Sequence, residues 1–343
     1  MTNVKFAVVG CGNIGGRHLA VIEAQEGASL VGFCDIDPLK RDKFAEVYNT
    51  VPAYASIDDL LSGCEADVIN VCTPHYLHAE HALKIIAAGH HALVEKPMAI
   101  RGEDADRMID AAGKAGVLLM VVKQNRYNLP VAFTREALDR GRLGRILMAD
   151  CNVIWNRYDG YYRQSPWLGR KELEGGALYT QVSHFIDLLI WMCGEVVDAG
   201  GRIETKNHEI EIEDCGTTWL RFSTGTLGSL LWTTCAYSRN YEGSITLIGE
   251  RGIVKIGGQY LNRIEHWDVE GFPLPEGIDW VDRPNSYGQY QGSSSNHDKV
   301  IRDVIRRVNR EDFRVVSGEE GRKTVRAIEL IYGRCNFAAV DLV

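Results

Sequence analysis

No two cysteines in this 343-residue chain are spaced as C-x-x-C, and the nine present, at 11, 34, 64, 72, 151, 193, 215, 235 and 335, are odd in number. A disulfide framework is therefore not expected. Several sit inside apolar runs, the usage of reduced, buried thiols in a cytosolic protein. Long hydrophobic runs are also missing. The longest, 117–122 and 186–193, are far short of the roughly 20 residues that span a bilayer. No basic stretch followed by a cleavable apolar core opens the sequence, so a cytoplasmic protein with no membrane partner is expected. Positive charge is not in excess: 38 Lys and Arg against 46 Asp and Glu give −8. That argues against nucleic acid as a partner. Lys299, Arg302, Arg306, Arg307 and Arg310 are a local exception, read as a solvated helix face. Internal repeats and low-complexity tracts are absent. What remains is the composition and length of a soluble enzyme of two domains.

Alternation is what the chain does have. Short apolar runs at 4–10, 29–35, 66–72, 91–95 and 117–122 read as parallel strands covered on both faces. Residues 14–25, 38–48, 77–88 and 102–115 read as the helices between them. Pro38 suits a first helical turn, and Gly89 and Gly116 suit the position just past a helix end. The pattern predicts an α/β fold, a Rossmann domain with a doubly wound parallel sheet over residues 1–122. From residue 123 the character changes. Helices are expected at 129–140 and 178–193, and strands at 145–155, 215–222, 226–237, 243–249 and 252–256. Thr224-Gly225 and Glu250-Arg251-Gly252 mark hairpin turns. Residues 123–343 are thus expected to form an α+β domain with a large open, mainly antiparallel sheet, serving substrate binding and oligomerisation. Residues 272–295 read as a loop. The terminal helices, 296–310 and 319–339, are left able to pack back on the first domain.

Gly10-Cys11-Gly12-Asn13-Ile14-Gly15 matches G-x-G-x-x-G. Alone the pattern is weak. Here it follows an apolar strand, opens a helix, and precedes Asp35 at the end of the next strand, which is the context a dinucleotide fingerprint requires. Gly10 permits the tight turn, Gly12 the approach of a pyrophosphate, and Gly15 close helix–strand packing. The helix start at Asn13 and Ile14 offers unpaired N–H groups. Cys11 reads as a small filler. Asp35, followed by Ile36, can accept both ribose hydroxyls of NAD and would repel the 2′-phosphate of NADP, so NAD is the expected cofactor. Thr73 and Pro74 fall beside the nicotinamide half, with His75 and His78 as helix-cap or ribose contacts. His75, His78 and His81 gain no cysteine or carboxylate to complete a ligand set, so no metal is expected.

Glu95-Lys96-Pro97 delivers a lysine to the carboxyl end of the 91–95 strand, where ligands of such sheets bind. A cation there favours an alkoxide developing on a substrate hydroxyl. The fingerprint, T-P-x-x-x-H at Thr73, Pro74 and His78, E-K-P, and a later helix after Gly175-Gly176 bearing a histidine resemble the Gfo/Idh/MocA family of sugar and polyol oxidoreductases. The resemblance extends over essentially the whole chain, including Ser317-Gly318-Glu319-Glu320-Gly321-Arg322. It implies that Lys96 and His184 are catalytic and that Glu95 and Gln124 lie at the cofactor. Members often carry aspartate four residues before that histidine. Thr180 stands there in this chain, at helical spacing from His184, which puts free polyols such as inositol in doubt as substrates.

Two further stretches, 123–128 and 161–167, resemble the nucleotide-sugar branch of the family. That branch includes 3-dehydrogenases of UDP-N-acetylglucosaminuronic acid, which serve surface-polysaccharide synthesis. The substrate contacts this implies are Lys96, Asn125, Arg126, Tyr127, Arg157, Tyr161, Trp167, Thr180, Gln181 and His184. Arg126, Arg157 and Arg163 suit a carboxylate or diphosphate, and Tyr158, Tyr161 and Trp167 suit stacking on sugar or uracil. The activity implied is NAD-dependent oxidation of a ring hydroxyl, at C3, of a nucleotide-linked amino sugar acid. His184, with an unperturbed pKa near 6.5, would be the base. Lys96 would orient the hydroxyl, or the two roles would be exchanged. A free sugar or polyol dehydrogenase is the alternative within the family. A regulator that has lost its chemistry is the alternative outside it, and the presence of both Lys96 and His184 speaks against that. Family members commonly assemble through the open sheet, so a homo-oligomer, dimer or tetramer, is expected.

Overall fold

The computed structural model describes residues 2–277, 280, 284–286 and 291–339. It divides into two compact units, Met1–Lys123 with His297–Val325, and Gln124–Asn296 with Arg326–Val343.

The first unit opens β1 (Val4–Val9), α1 (Asn13–Ala24), β2 (Ala28–Cys34), α2 (Pro38–Val47), β3 (Ala53–Tyr54), α3 (Ile57–Gly63) and β4 (Val68–Val71). It continues through α4 (His78–Ala87), β5 (His91–Val94), α5 (Gly102–Ala115) and β6 (Leu119–Val121). The strands lie in the order β6-β5-β4-β1-β2-β3, all parallel. Every residue of β4 and β6 is buried, as two-sided coverage demands. Pro38 does stand in the first turn of α2, and Gly116 ends α5 in the left-handed region. Two short elements, β3 and α3, were not legible in the sequence. Ser56 caps α3, its hydroxyl accepting the Asp59 N–H. The strand order reverses beside β1 and β4, so the loops after these two strands flank the crevice where such sheets take ligands.

The second unit contains α6 (Leu129–Asp139), β7 (Ile146–Ile154), α7 (Asp159–Arg163), α8 (Lys171–Glu174), α9 (Ser183–Cys193) and β8 (Val196–Thr205). It continues with β9 (Cys215–Phe222), β10 (Leu227–Thr233), β11 (Glu242–Gly249), β12 (Gly252–Gly257), β13 (Arg263–Val269) and the short strands β14 (Pro284–Ser286) and β15 (Gln291–Ser294). The last two form a small antiparallel pair inside the stretch expected to be all loop. After them come α10 (His297–Val308), β16 (Val316–Ser317), α11 (Gly318–Arg334) and β17 (Cys335–Ala339). The large sheet runs β13-β12-β11-β7-β10-β9-β8-β17, antiparallel except for β7·β10 and β8·β17. α9 lies on its inner face, with Phe185 edge-on to Trp155 at 5.6 Å.

Two helices differ from expectation. The helix expected over 319–339 stops at Arg334, and the chain continues as β17, because that strand supplies backbone partners to β8. The helix expected over 178–193 opens with a π turn, Leu178–Val182, before α9 begins. Residues 297–325 group with the first unit: β16 adds an antiparallel edge to β6, and the apolar side of α10 (Val300, Ile301, Val304, Ile305) is buried.

Candidate functional site

The first unit forms a cradle at the start of α1. Gly10 has φ +98°, and a Cβ there would lie 2.8 Å from the Cys72 carbonyl oxygen. A Cβ on Gly15 would lie 1.8 Å from the Gly10 oxygen, so helix and strand meet only because both positions lack side chains. At Gly12 a Cβ would meet nothing within 4 Å, and the first turn, including Asn13 and Ile14, carries no acidic residue or side-chain cap. The N–H groups of that turn are thus left open to an anion. Asp35 steadies the rim: one carboxylate oxygen accepts the Cys11 N–H (2.7 Å) and the other the Asp37 N–H (2.8 Å). Ile36 beside it is exposed. Burial pushes the Cys11 thiol up to about 12, consistent with a filler that carries no thiolate. The cradle fits a dinucleotide diphosphate and ribose.

Several residues expected at the ligand face inward instead. His78 is buried, with Nδ1 2.7 Å from the Pro97 oxygen and Nε2 2.7 Å from the Thr73 oxygen. Both ring nitrogens are committed to carbonyls, which corrects its reading as a ribose contact. Burial pushes the His78 ring below its usual pKa, while the two carbonyls and Glu95 favour the proton. His75 is buried in the short turn before α4, its ring 5.7 Å from that of His78, and His81 meets the Thr73 hydroxyl at 3.1 Å; the three are not grouped as a ligand set among the described residues. Glu95 is corrected too. Its Oε1 lies 2.9 Å from His18 Nε2 and 3.3 Å from His297 Nε2, and its Oε2 accepts the Lys96 N–H at 3.1 Å. Burial favours the neutral acid, yet the contacts from the two imidazoles hold Glu95 well below the usual carboxylate range. His18 Nδ1 meets the Asn70 amide at 2.9 Å. Pro74 and half-buried Lys96 stand on the loops these contacts tie down, and the Lys96–Pro97 peptide is cis.

In the second unit, Gln124, Asn125 and Arg126 are buried in one short turn ending at Tyr127. Arg126 was expected to pair with a substrate anion. Its fork is closed on Asp187 instead, at 2.8 Å (Nε) and 3.0 Å (Nη2), with both side chains buried. Such a bidentate pair satisfies the guanidinium that a ligand would otherwise have taken. Arg157 is likewise packed inside, over the rings of Trp155 and Tyr161 at 5.2 Å each. Tyr161 joins Tyr162 and Ile212 in an apolar cluster flanked by Tyr158, rather than offering a stacking face. Trp167 is half-buried and Arg163 exposed.

His184 is buried on the first turn of α9. The preceding π turn widens the helix, so Thr180 and His184 are not at the simple α-helical spacing expected. The Thr180 hydroxyl donates to Glu174 Oε1 at 2.6 Å. Gln181 donates to the Tyr161 hydroxyl at 3.2 Å, and its own oxygen, like both polar atoms of the Asn125 amide, is buried without a hydrogen-bond partner among the described residues. Unpaired buried amides of this kind mark places where a ligand or water completes the bonding.

Residues missed from the sequence include His18, Asn70, Glu174, Asp187, Glu213 and His297. Two carried a readable signal: His18 is three residues past Gly15 on α1, and Asp187 is three past His184 on α9. Among the described residues two clusters have the residue types of metal ligands, His18/Glu95/His297 and His208/Asp214/Cys235. In the second, His208 is already spent on Asp214 (3.0 Å) and the Arg157 oxygen (2.6 Å).

A Rossmann cradle for NAD joined to a second unit built on an open sheet defines an NAD-dependent oxidoreductase. The comparisons with known proteins make this specific. Residues 4–123 match the oxidoreductase family with NAD-binding Rossmann fold, and residues 131–255 match the GFO/IDH/MocA C-terminal domain. The chain is 35% identical to the WlbA dehydrogenase of Bordetella pertussis, solved with NADH and UDP-GlcNAcA, over 96% of both chains with a TM-score of 0.86. It is also 35% identical to the WlbA dehydrogenase of Chromobacterium violaceum, solved with the same two ligands, over 97% of this chain and 95% of that one with a TM-score of 0.88. A 1-carboxy-3-chloro-3,4-dihydroxycyclohexa-1,5-diene dehydrogenase of Comamonas testosteroni is 28% identical over 72% of this chain, a match spanning 63% of that relative's length. The chain belongs to the Gfo/Idh/MocA family. Among the described residues no helix is long and apolar enough to cross a membrane.

Proposed function

We propose that this enzyme oxidises the C3 hydroxyl of a nucleotide-linked amino sugar acid such as UDP-N-acetylglucosaminuronic acid, with NAD as acceptor. The observation that carries the reading is the 35% identity, over 96% of both chains, to a dehydrogenase solved with NADH and UDP-GlcNAcA. NAD, when bound, supplies the acceptor for the hydride leaving the sugar carbon. His184 takes the proton from the sugar hydroxyl, and Lys96 orients that hydroxyl and stabilises the charge developing on its oxygen. Asn125, whose amide oxygen and nitrogen both lack a partner among the described residues, and Gln181, whose amide oxygen does, are proposed to hydrogen-bond the sugar. Asp35 accepts the adenosine ribose hydroxyls. We place the work in the cytoplasm, in the supply of sugars for surface polysaccharide. The nine cysteines, all free thiols, support a reducing compartment.

A homo-oligomer is proposed as the working form. Met148, Trp219 and Leu227 are about half exposed on the outer side of the large sheet, an apolar face that a second copy can cover. The test is absorbance at 340 nm on adding NAD⁺ with UDP-N-acetylglucosaminuronic acid, glucose or inositol. Growth with the nucleotide sugar is expected. Growth with glucose or inositol alone would replace the reading with that of a free-sugar dehydrogenase.

A further inference from the structure

The backbone on either side of Lys96 is flanked by buried histidines from three different helices, two of them hydrogen-bonded to it or to Glu95. On one side, Glu95 Oε1 lies between His18 Nε2 of α1 (2.9 Å) and His297 Nε2 of α10 (3.3 Å), and Glu95 Oε2 accepts the Lys96 N–H (3.1 Å). On the other, His78 of α4 reaches the Pro97 oxygen (2.7 Å) with one nitrogen and the Thr73 oxygen (2.7 Å) with the other. All three rings are nearly inaccessible: His18 1%, His78 1% and His297 1% exposed. Glu95 is joined to the strand beside it as well, its N–H donating to the Val71 oxygen at 3.0 Å.

We propose that His18 and His78, with His297 packed against the His18 ring, form a positioning brace for Lys96, fixing the lysine through its two backbone neighbours, with His78 the member that ties the Thr73 loop to the Lys96 loop. The inference rests on Lys96 acting at the substrate hydroxyl. None of the three rings needs to touch substrate or cofactor. Histidine suits the role at position 78 because one ring spans two carbonyls that belong to different loops. A neutral imidazole has one N–H and satisfies one of them; the imidazolium satisfies both. A primary amide, with two N–H donors on one nitrogen, is the side chain nearest to it in that respect. Lys96 is thereby set to within the small tolerance that a reacting geometry allows, a displacement of about 1 Å being enough to lower a rate strongly.

The test is a double-mutant cycle between His78 and Lys96, read as kcat, KM and NADH affinity, with whichever sugar the wild-type enzyme oxidises. His78→Leu is expected to lower kcat about tenfold or more while NADH affinity stays within about twofold. His78→Gln is expected to keep most of the wild-type kcat. In a Lys96→Met background, His78→Leu is expected to add less than about a twofold loss. A loss of equal size in that background, or loss of NADH binding in both His78 variants, overturns the brace and makes His78 a support of the fold. Lys96→Met retaining the wild-type kcat would overturn the assignment of Lys96 itself, and is read from that single variant. Hydrogen exchange of the segment 93–99 gives a measurement that needs no substrate. It is expected to quicken in His78→Leu and not in His78→Gln, and unchanged exchange in both also overturns the brace.

Discussion

Asp35 spends both carboxylate oxygens on backbone N–H groups, of Cys11 and of Asp37, and each oxygen keeps a lone pair for a ribose hydroxyl. The same charge repels a 2′-phosphate, and Arg41 points a guanidinium nitrogen at the Asp35 carbonyl oxygen at 3.5 Å. Replacing Asp35 with Ala should therefore cut the ratio of kcat/KM for NAD over NADP at least ~10-fold, about 1.4 kcal/mol, with part of the change a gain with NADP. A ratio unchanged from the wild type would show that another residue selects the cofactor. Asp35 was legible because its role follows from short-range spacing: a glycine loop, a helix and the end of the next strand. Arg126 was not. Its partner, Asp187, lies 61 residues away, and a sequence shows an arginine without showing which buried carboxylate will close on it. Glu95 and His78 failed likewise, since the partners of Glu95 come from α1 and α10 and those of His78 from the loops after β4 and β5.

The π turn before α9 is held by a carboxylic acid. Glu213 Oε1 accepts the Leu178 N–H (3.1 Å) and the Tyr332 hydroxyl (2.6 Å). Burial raises Glu213 from 4.5 to about 7, with the two donors pulling it down and nearby Glu174 adding to the rise. A raised acid binds its proton in the folded state where the unfolded chain has lost it. The contribution to stability is thus full below pH ~4.5, where the unfolded acid is also protonated, and is lost as pH climbs towards ~7. The shift corresponds to ~3 kcal/mol as an upper figure. Glu213→Gln keeps an acceptor for both donors and removes the titration. Thermal melting followed from pH 5 to pH 8 should show the variant gaining several degrees relative to wild type at the alkaline end. Parallel pH curves for the two proteins would place the carboxylate in water. From sequence, the helix and its start at the glycine pair were readable, because apolar spacing and glycine report them. The extra residue in the turn was not, because it depends on Glu213 and Tyr332, which approach from β8–β9 and α11. β17 was hidden likewise: its residues continue a helical pattern, and only the exposed edge of β8 makes them a strand.

The sheet of the second unit ends in open edges at β13 and β17, so its outer face is not covered by closure into a barrel. Along β9 the residues alternate, with Thr218, Leu220 and Phe222 buried and Thr217, Trp219 and Arg221 exposed. Leu227 of β10 stands opposite Met148 of β7, and Leu231 opposite Asn152, so the apolar outer positions lie in adjoining rows. Trp219, 51% exposed, and Leu231, 41% exposed, are large side chains that gain from being covered. A second copy brings the same face and the same rows, which suits a two-fold interface in which each Trp219 meets apolar surface of its partner. About 800 Å² per chain would make such an interface stable. Trp219→Glu should then shift sedimentation of the protein towards the smaller species, and Trp219→Phe should not. The far-ultraviolet circular dichroism and NADH binding should persist in the smaller species, because the cradle residues all belong to the first unit. A Trp219→Glu protein that sediments as wild type would remove this face from the assembly. The alternation that predicts the face is written in β9 and β10 alone, whereas its extent depends on β7 running parallel beside β10, a pairing that no local pattern announces.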